Sequence, residues 1–264
     1  MSPNNEPGTI GRASIATWIA RFAAADPPSG IYYLIRCLGF RHFGRLERCL
    51  PPRGRILDLG SGYGLFPILA GARGPEREVV GIDRLARRVE IGRRVIDRAG
   101  GPANVRLEVG DFNRLPEGPF DAITATDVLL YSTLTDQQKL IRACRDRLAP
   151  GGILLIKEQV TRPSWKARLV IMQERLVVGS KVRLRSDGEW SAIGGSGFHL
   201  WAVEDLERVL AACGLRVSSS RLDGWSYLSH HLFIGVEGSG PPATPEERRA
   251  AETGAGRRTA PLFR

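Results

Sequence analysis

Asp58, Gly60, Gly62 and Gly64 stand at alternate positions in Ile56-Leu57-Asp58-Leu59-Gly60-Ser61-Gly62-Tyr63-Gly64. That alternation suits a ligand that approaches a backbone turn closely. Glycine has no Cβ, so it takes φ > 0 freely and leaves room beside the chain. Apolar residues resume with Leu65, Phe66, Ile68 and Leu69, the spacing of a helix whose first N–H groups are unpaired. A turn of this kind, taken alone, serves dinucleotides, mononucleotides and S-adenosylmethionine alike. Further acids narrow the choice. Asp83 closes the apolar run Val79-Val80-Gly81-Ile82, at the distance after the turn (about 20–25 residues) where such folds place a ribose-binding acid. A carboxylate suits a vicinal diol because it has two acceptor oxygens and no donor to waste. Asp111, beside Phe112, follows Val105 to Gly110, and Asp127 follows Phe120 to Thr126. Any one of these acids also reads as a turn or helix-cap aspartate. At the ends of successive strands, with the glycine turn, they read together as a cofactor site.

Groups able to take a proton from an acceptor lie where the later strands end. They are Asp127 and Tyr131 after the fourth strand, Lys157 and Glu158 at the fifth, and His199, His230 and His231 beyond. Histidine suits such work because its pKa lies near operating pH. The plainer reading of each histidine is a surface or core residue. His230 and His231 are adjacent, so on a strand they face opposite sides.

The elements that must position these residues alternate strand and helix, which calls for a parallel sheet with helices on both faces. Ile15, Trp18, Ile19 and Phe22 predict a helix that stops before Asp26-Pro27-Pro28. A second is predicted from Ile31 to Leu50, closed by Pro51-Pro52. These helices either cap the cofactor cleft or pack on the sheet edge. Thr135-Asp136-Gln137-Gln138 reads as a capping box, and Pro150-Gly151-Gly152 as the stop before a strand that begins at Ile153. Leu206 to Cys213 predicts a helix ended by Gly214, followed by strands over Val217 to Leu222 and Leu232 to Val236.

The ordered set DLGSGYG, GID, GDF, FDAITATD and LAPGGILLIKE, over roughly Arg55 to Glu158, resembles the class I S-adenosylmethionine-dependent methyltransferases, with a fainter match to about Gly238. The spacing of Asp58, Gly60, Gly62 and Gly64 is similar to that family's loop. It departs from the GxGxxG of a nicotinamide-dependent oxidoreductase, the competing enzyme class, since position 65 holds no glycine. A non-catalytic cofactor-binding protein is the third reading. The resemblance implies an α/β fold: a seven-stranded, mostly parallel sheet whose last strand is antiparallel and lies beside the fifth. Helices cover both faces, with an N-terminal helical cap and a helical insert after strand 5. It also implies roles. Gly60, Ser61, Gly62 and Gly64 would pass beside the methionine part of S-adenosylmethionine, and Asp58 would order that loop and attract the ammonium. Asp83 would take the ribose hydroxyls, Arg84 would lie by the adenine, Asp111 would take its amino group and Phe112 would stack on it. Thr126 and Asp127 would end beside the transferred methyl. Tyr131, His199 and His231 are the candidate catalytic residues.

This organisation divides the chain into a flexible start (1–8), a helical cap (9–52), a cofactor-binding domain (53–238, with an insert at about 159–200) and a disordered tail (239–264). In the insert, Trp165, Leu169, Met172 and Leu176 share a helical stripe with basic shoulders. The stripe reads either as a core-covering helix or as a peripheral membrane contact through 164–178. The net charge of +10 comes from scattered arginines more than from clusters. Few aromatics lie in the basic stretches, which disfavours single-stranded nucleic acid as a partner. The fourth strand runs on as Val128-Leu129-Leu130-Tyr131, without the Asn/Asp-Pro-Pro-Tyr/Phe pattern that holds a base or amide nitrogen. The acceptor expected is therefore a small or lipid-like metabolite, methylated at oxygen. No metal site is expected. Four cysteines without CxxC spacing predict buried, reduced thiols. The absence of a long apolar run or a signal-like start predicts a cytoplasmic location, with membrane-peripheral contact as its variant.

Overall fold

Seven strands make one sheet in the order β3-β2-β1-β4-β5-β7-β6. They are β1 (Gly54–Leu59), β2 (Arg77–Asp83), β3 (Val105–Val109), β4 (Phe120–Thr126), β5 (Leu148–Gln159), β6 (Leu215–Arg221) and β7 (His230–Glu237). This computed structural model describes residues 15–39, 42–160, 200–222 and 230–238. β1 pairs in parallel with β2 and β4, and β2 with β3. β7 runs antiparallel to β6, with Leu215 opposite Glu237 and Arg221 opposite His231. The expected placement of an antiparallel last strand beside the fifth is therefore observed.

The helices are α1 (Ile15–Ala25), α2 (Pro27–Gly39), α3 (Phe43–Arg48), α4 (Leu65–Arg73), α5 (Ala86–Ala99), α6 (Leu134–Arg145) and α7 (Val203–Ala212). Close packing divides the chain into two units, residues 1–126 with 147–156 and residues 127–146 with 157–264. In the first, Ile56, Leu57, Val79, Ile82, Ile123 and Phe120 on the strands form a core with Ile68 and Leu69 of α4 and Val89 and Val95 of α5, all buried. In the second, Leu140, Ile141 and Cys144 of α6, Leu206 and Leu210 of α7, and Leu232 and Phe233 of β7 are buried.

Several boundaries differ from those predicted. α2 starts at Pro27, four residues before Ile31, because proline is tolerated in a first helical turn, where its missing N–H would be unpaired anyway. Asp26 receives the Ser29 N–H at 2.9 Å and serves as the cap. The predicted single helix from Ile31 to Leu50 is two, α2 and α3. α6 is capped by Thr133, whose hydroxyl accepts the Asp136 N–H, and not by Thr135. β5 begins at Leu148 and carries Pro150-Gly151-Gly152 inside it, with Gly151 at φ 75° taking the left-handed bend. β3 stops at Val109 and β4 at Thr126, so Asp111 and Asp127 stand past the strand ends.

Cys144 is buried, whereas Cys49 and Cys213 are only partly so, since each caps the end of its helix instead of facing the core. Most of the insert lies outside the described residues. The stretch 164–178, where a helix is expected, His199, the start at 1–8 and the tail at 239–264 are all among the undescribed residues. No helix among the described residues is long and apolar enough to cross a membrane.

Candidate active site

β1 delivers Asp58 and the glycine loop, and β2 delivers Asp83. Gly60, Gly62 and Gly64 have φ of 67°, 60° and 87°, so all three sit in the left-handed region that side chains resist. The loop is held to the end of β2. Ser61 N–H donates to Ile82 carbonyl (2.9 Å), and Gly62 N–H donates to Asp83 Oδ2 (2.8 Å). Asp83 Oδ1 accepts the Leu85 N–H at 2.9 Å, so this buried carboxylate fixes the loop and the turn into α5 together. A Cβ built at Gly62 meets nothing within 4 Å, whereas one at Gly64 would lie 2.4 Å from Leu107 Cδ1. Space for a ligand therefore opens beside Gly62, while Gly64 lets the loop pack on β3.

Asp58 points into the same unit's core, with Thr124 Oγ1 donating to its Oδ1 at 2.5 Å. Loss of solvent pushes its carboxyl up from 3.8 to about 7. The Thr124 hydrogen bond opposes that rise and the nearby Asp83 adds to it. Ser61 Oγ and Thr126 Oγ1 are buried with no hydrogen-bond partner among the described residues. Buried polar atoms left unpaired cost about 1–3 kcal/mol each, so such hydroxyls await a ligand or stay strained. Arg84 is exposed. Asp111, also exposed, turns back to accept both the backbone and side-chain N–H groups of Asn113 at 3.1 Å, the local turn geometry weighed against a ligand role above. Phe112 is half-buried.

The second unit buries a cluster of charge. Asp127, at φ 54°, is the one non-glycine residue with positive φ among those described. Its Oδ2 accepts Lys157 Nζ at 2.5 Å, and His230 Nε2 lies 3.7 Å from its Oδ1. Glu158 Oε1 accepts the N–H groups of Val128 (2.7 Å) and Leu129 (2.6 Å), where a short turn over Leu129–Tyr131 begins. Its Oε2 is buried without a partner among the described residues. Burial pushes Glu158 up from 4.5 to about 8, Asp127 adding to the rise and the two N–H bonds and Lys157 opposing it. Tyr131 is half-buried in that turn, and His231 is buried on β7 with its ring 6.1 Å from that of Phe233.

A family profile described as "Methyltransferase domain" matches residues 12–220. The chain belongs to the class I S-adenosylmethionine-dependent methyltransferases. The nicotinamide alternative is thereby set aside. The chain is 35% identical over 106 residues to a demethylmenaquinone methyltransferase of Thermus thermophilus, covering 39% of this chain and 46% of that one. It is 31% identical over 131 residues to a ubiquinone biosynthesis O-methyltransferase of Xanthomonas axonopodis pv. citri, covering 49% and 52%. The chain thus spans about half the length of these curated relatives. Among solved structures, an O-methyltransferase family protein from Burkholderia thailandensis shares the fold with a TM-score of 0.60 at 19% identity, over 89% of this chain and 68% of that one.

The sequence carried no sign of the partners that tune the acids at the strand ends or of the groups that pack beside the glycine loop. Thr124 carries no motif, and its role follows from the parallel register that sets it opposite Asp58. Tyr32 and Tyr33 of α2 pack against Tyr63 of the loop, with ring centroids 5.4 and 5.8 Å apart. Two adjacent tyrosines in an amphipathic helix give no signal of this in one dimension.

The raised carboxyl of Asp58 has a measurable consequence. Its folded pKa exceeds its unfolded one, so the stability it contributes is fully present below 3.8 and is lost as pH rises through about 7. Asp58→Asn keeps an oxygen to accept the Thr124 hydroxyl and removes the titration. Thermal unfolding at pH 5 and pH 8 should show the variant losing less Tm between the two than the parent, by roughly several degrees. Parallel curves for the two proteins would show that Asp58 titrates normally.

Proposed function

We propose that this chain transfers the methyl group of S-adenosylmethionine to a small or lipid-like metabolite, at an oxygen atom. The observation that carries the proposal is the glycine loop pinned by Asp83, with open space beside Gly62 and unpartnered hydroxyls on Ser61 and Thr126. Those groups fit an elongated, polar cofactor. Gly60, Ser61, Gly62 and Gly64 would run beside its methionine part, and Asp83 would accept the ribose hydroxyls on lone pairs its two backbone bonds leave free. Asp58 would attract the ammonium, Arg84, Asp111 and Phe112 would surround the adenine, and Thr126 and Asp127 would border the methyl. When bound, the cofactor supplies a methyl carbon already activated by its sulfonium.

The protein's own work is then to align an acceptor, exclude water and take the acceptor's proton. Tyr131, His231 and His199 remain the candidates for that last task. Glu158, pushed up to about 8, joins them as a group whose proton affinity suits a hydroxyl acceptor. The relatives named for menaquinone and ubiquinone support a lipid-like acceptor, and the one named as an O-methyltransferase supports oxygen.

Calorimetric titration with S-adenosylhomocysteine tests the cofactor half, with NADH and NADPH as controls. Binding of the homocysteine compound alone is expected, and a preference for a nicotinamide would overturn the proposal. Gly62→Ala sharpens the test. With nothing near its new methyl, the substitution should cost only about 1–2 kcal/mol of backbone strain. That methyl would nonetheless stand in the ligand's space, and S-adenosylhomocysteine affinity should fall roughly tenfold or more. Unchanged affinity would place the ligand elsewhere.

A further inference from the structure

We infer that the Glu158 carboxyl is a pH-sensitive latch that holds the turn Leu129–Tyr131 and, through it, Gln137 and Trp201. Glu158 is buried near the end of β5. Its Oε1 accepts the N–H groups of Val128 (2.7 Å) and Leu129 (2.6 Å), the residues that open the turn. From Leu129 a chain of hydrogen bonds runs on. Ser132 N–H donates to the Leu129 carbonyl (2.9 Å), Gln137 Nε2 to the Ser132 carbonyl (2.9 Å), and Trp201 Nε1 to Gln137 Oε1 (2.5 Å). The circuit closes beside β5, because Trp201 bridges to Val160, just beyond Glu158. Every donor in this series points back toward Glu158, so each bond polarises the next and the set holds or opens together.

Only one oxygen of the latch is satisfied. Oε2 is buried with no hydrogen-bond partner among the described residues. In the neutral acid that atom carries the proton, and Oε1 holds the two N–H groups without a net charge. Ionised, the carboxyl leaves a charged, unpaired oxygen in a dry site. The charged groups around it do not relieve that. Asp127, just before the turn, accepts Lys157 Nζ on Oδ2 at 2.5 Å, and His230 Nε2 lies 3.7 Å from its Oδ1. Lys157 is thus committed to Asp127, and the Asp127 carboxylate repels a second negative charge. Burial, with Asp127 adding to it, raises Glu158 to about 8 against the opposing pull of the two N–H bonds and Lys157. Asp127 also sits at φ 54°, a backbone conformation that side chains resist and that release of the turn would relieve.

A carboxyl raised in this way stabilises the closed turn fully below its ordinary 4.5 and loses that contribution as pH rises through about 8. The latch therefore holds at neutral pH and releases in alkali, loosening Tyr131 with the turn. None of this requires a bound cofactor. Amide hydrogen exchange, corrected for the intrinsic rate at each pH, reads the latch directly. Protection at Val128 and Leu129 should fall roughly tenfold between pH 7 and pH 9. Glu158→Gln keeps an acceptor oxygen for both N–H groups and cannot ionise, so its protection there should stay level. In protein carrying fluorotryptophan, the Trp201 resonance, assigned by its loss in Trp201→Phe, should shift over the same range in the parent alone. Level protection in the parent overturns the latch, and so does an equal fall in both proteins. A Trp201 signal that ignores pH overturns the relay to Gln137 and Trp201. Should Glu158→Gln fail to fold, the parent carries its own control in Leu232 and Phe233 of β7. Protection there should hold while that of Val128 and Leu129 falls, and a parallel fall would mean general unfolding and overturn the latch.

Discussion

Glu47→Ala should destabilise the protein by about 3 kcal/mol, the scale of breaking a buried ion pair by removing one partner. Glu47, on α3, and Arg77, at the start of β2, are both buried, and their Oε1 and Nη1 atoms are 2.7 Å apart. Arg77 also donates to the carbonyls of Ala70 (2.9 Å) and Pro51 (2.8 Å). One guanidinium therefore ties α3, the chain after it, and the end of α4 to the sheet. Arg73 reaches the other oxygen of Glu47 at 3.3 Å, but it is more exposed and contributes less. In the alanine variant, Arg77 keeps its carbonyl partners and loses its counter-charge. Adding Arg77→Met should then recover part of the loss, because an unpaired buried charge costs more than its removal. Urea unfolding followed by circular dichroism reads both variants. A Glu47→Ala midpoint equal to the parent's would mean the pair is a solvent-screened ornament.

Asp83→Ala should lower S-adenosylhomocysteine affinity by roughly a hundredfold, the scale of two hydrogen bonds to a charged acceptor. The sequence alone suggests a strand-end residue whose removal leaves the fold untouched. The structure changes that expectation, since Asp83 is buried and accepts the N–H groups of Gly62 and Leu85. Its loss should therefore also cost about 1–3 kcal/mol of stability, as two backbone donors lose their partner. Asp83→Asn separates the two effects. The amide still offers one acceptor oxygen to the loop, yet it presents a donor where, on the proposed reading, the second ribose hydroxyl would need an acceptor. Near-native thermal stability with much weakened binding is expected for that variant. Weakened stability with intact affinity would assign Asp83 to the loop alone.

The strand and helix alternation, the glycine loop, Asp83 at the end of β2 and the break after Ala25 were all legible in one dimension. Each depends on local spacing, on what a residue type permits its own backbone, or on burial of both sheet faces. The family was legible for the same reason, because its motifs fall at fixed places along the chain. Boundaries were less so. Proline opened α2 instead of ending a segment, and Pro150-Gly151-Gly152 bent inside β5 instead of preceding it. A proline or glycine tells that the chain turns; which element claims the turn depends on what packs around it.

By itself, then, the sequence determined the order of strands and helices and the place of the glycine loop and Asp83 within it. What those residues are bonded to was decided only in three dimensions. Thr124 meets Asp58 through a parallel register across 66 residues of chain, and Glu158 reaches the Val128 and Leu129 N–H groups from the next strand. Tyr33 finds the first N–H of α4 from a helix that starts 38 residues earlier, a spacing no motif encodes. Such contacts set proton affinities and hold the loop, because desolvation and hydrogen bonding depend on neighbours in space and not on neighbours in sequence.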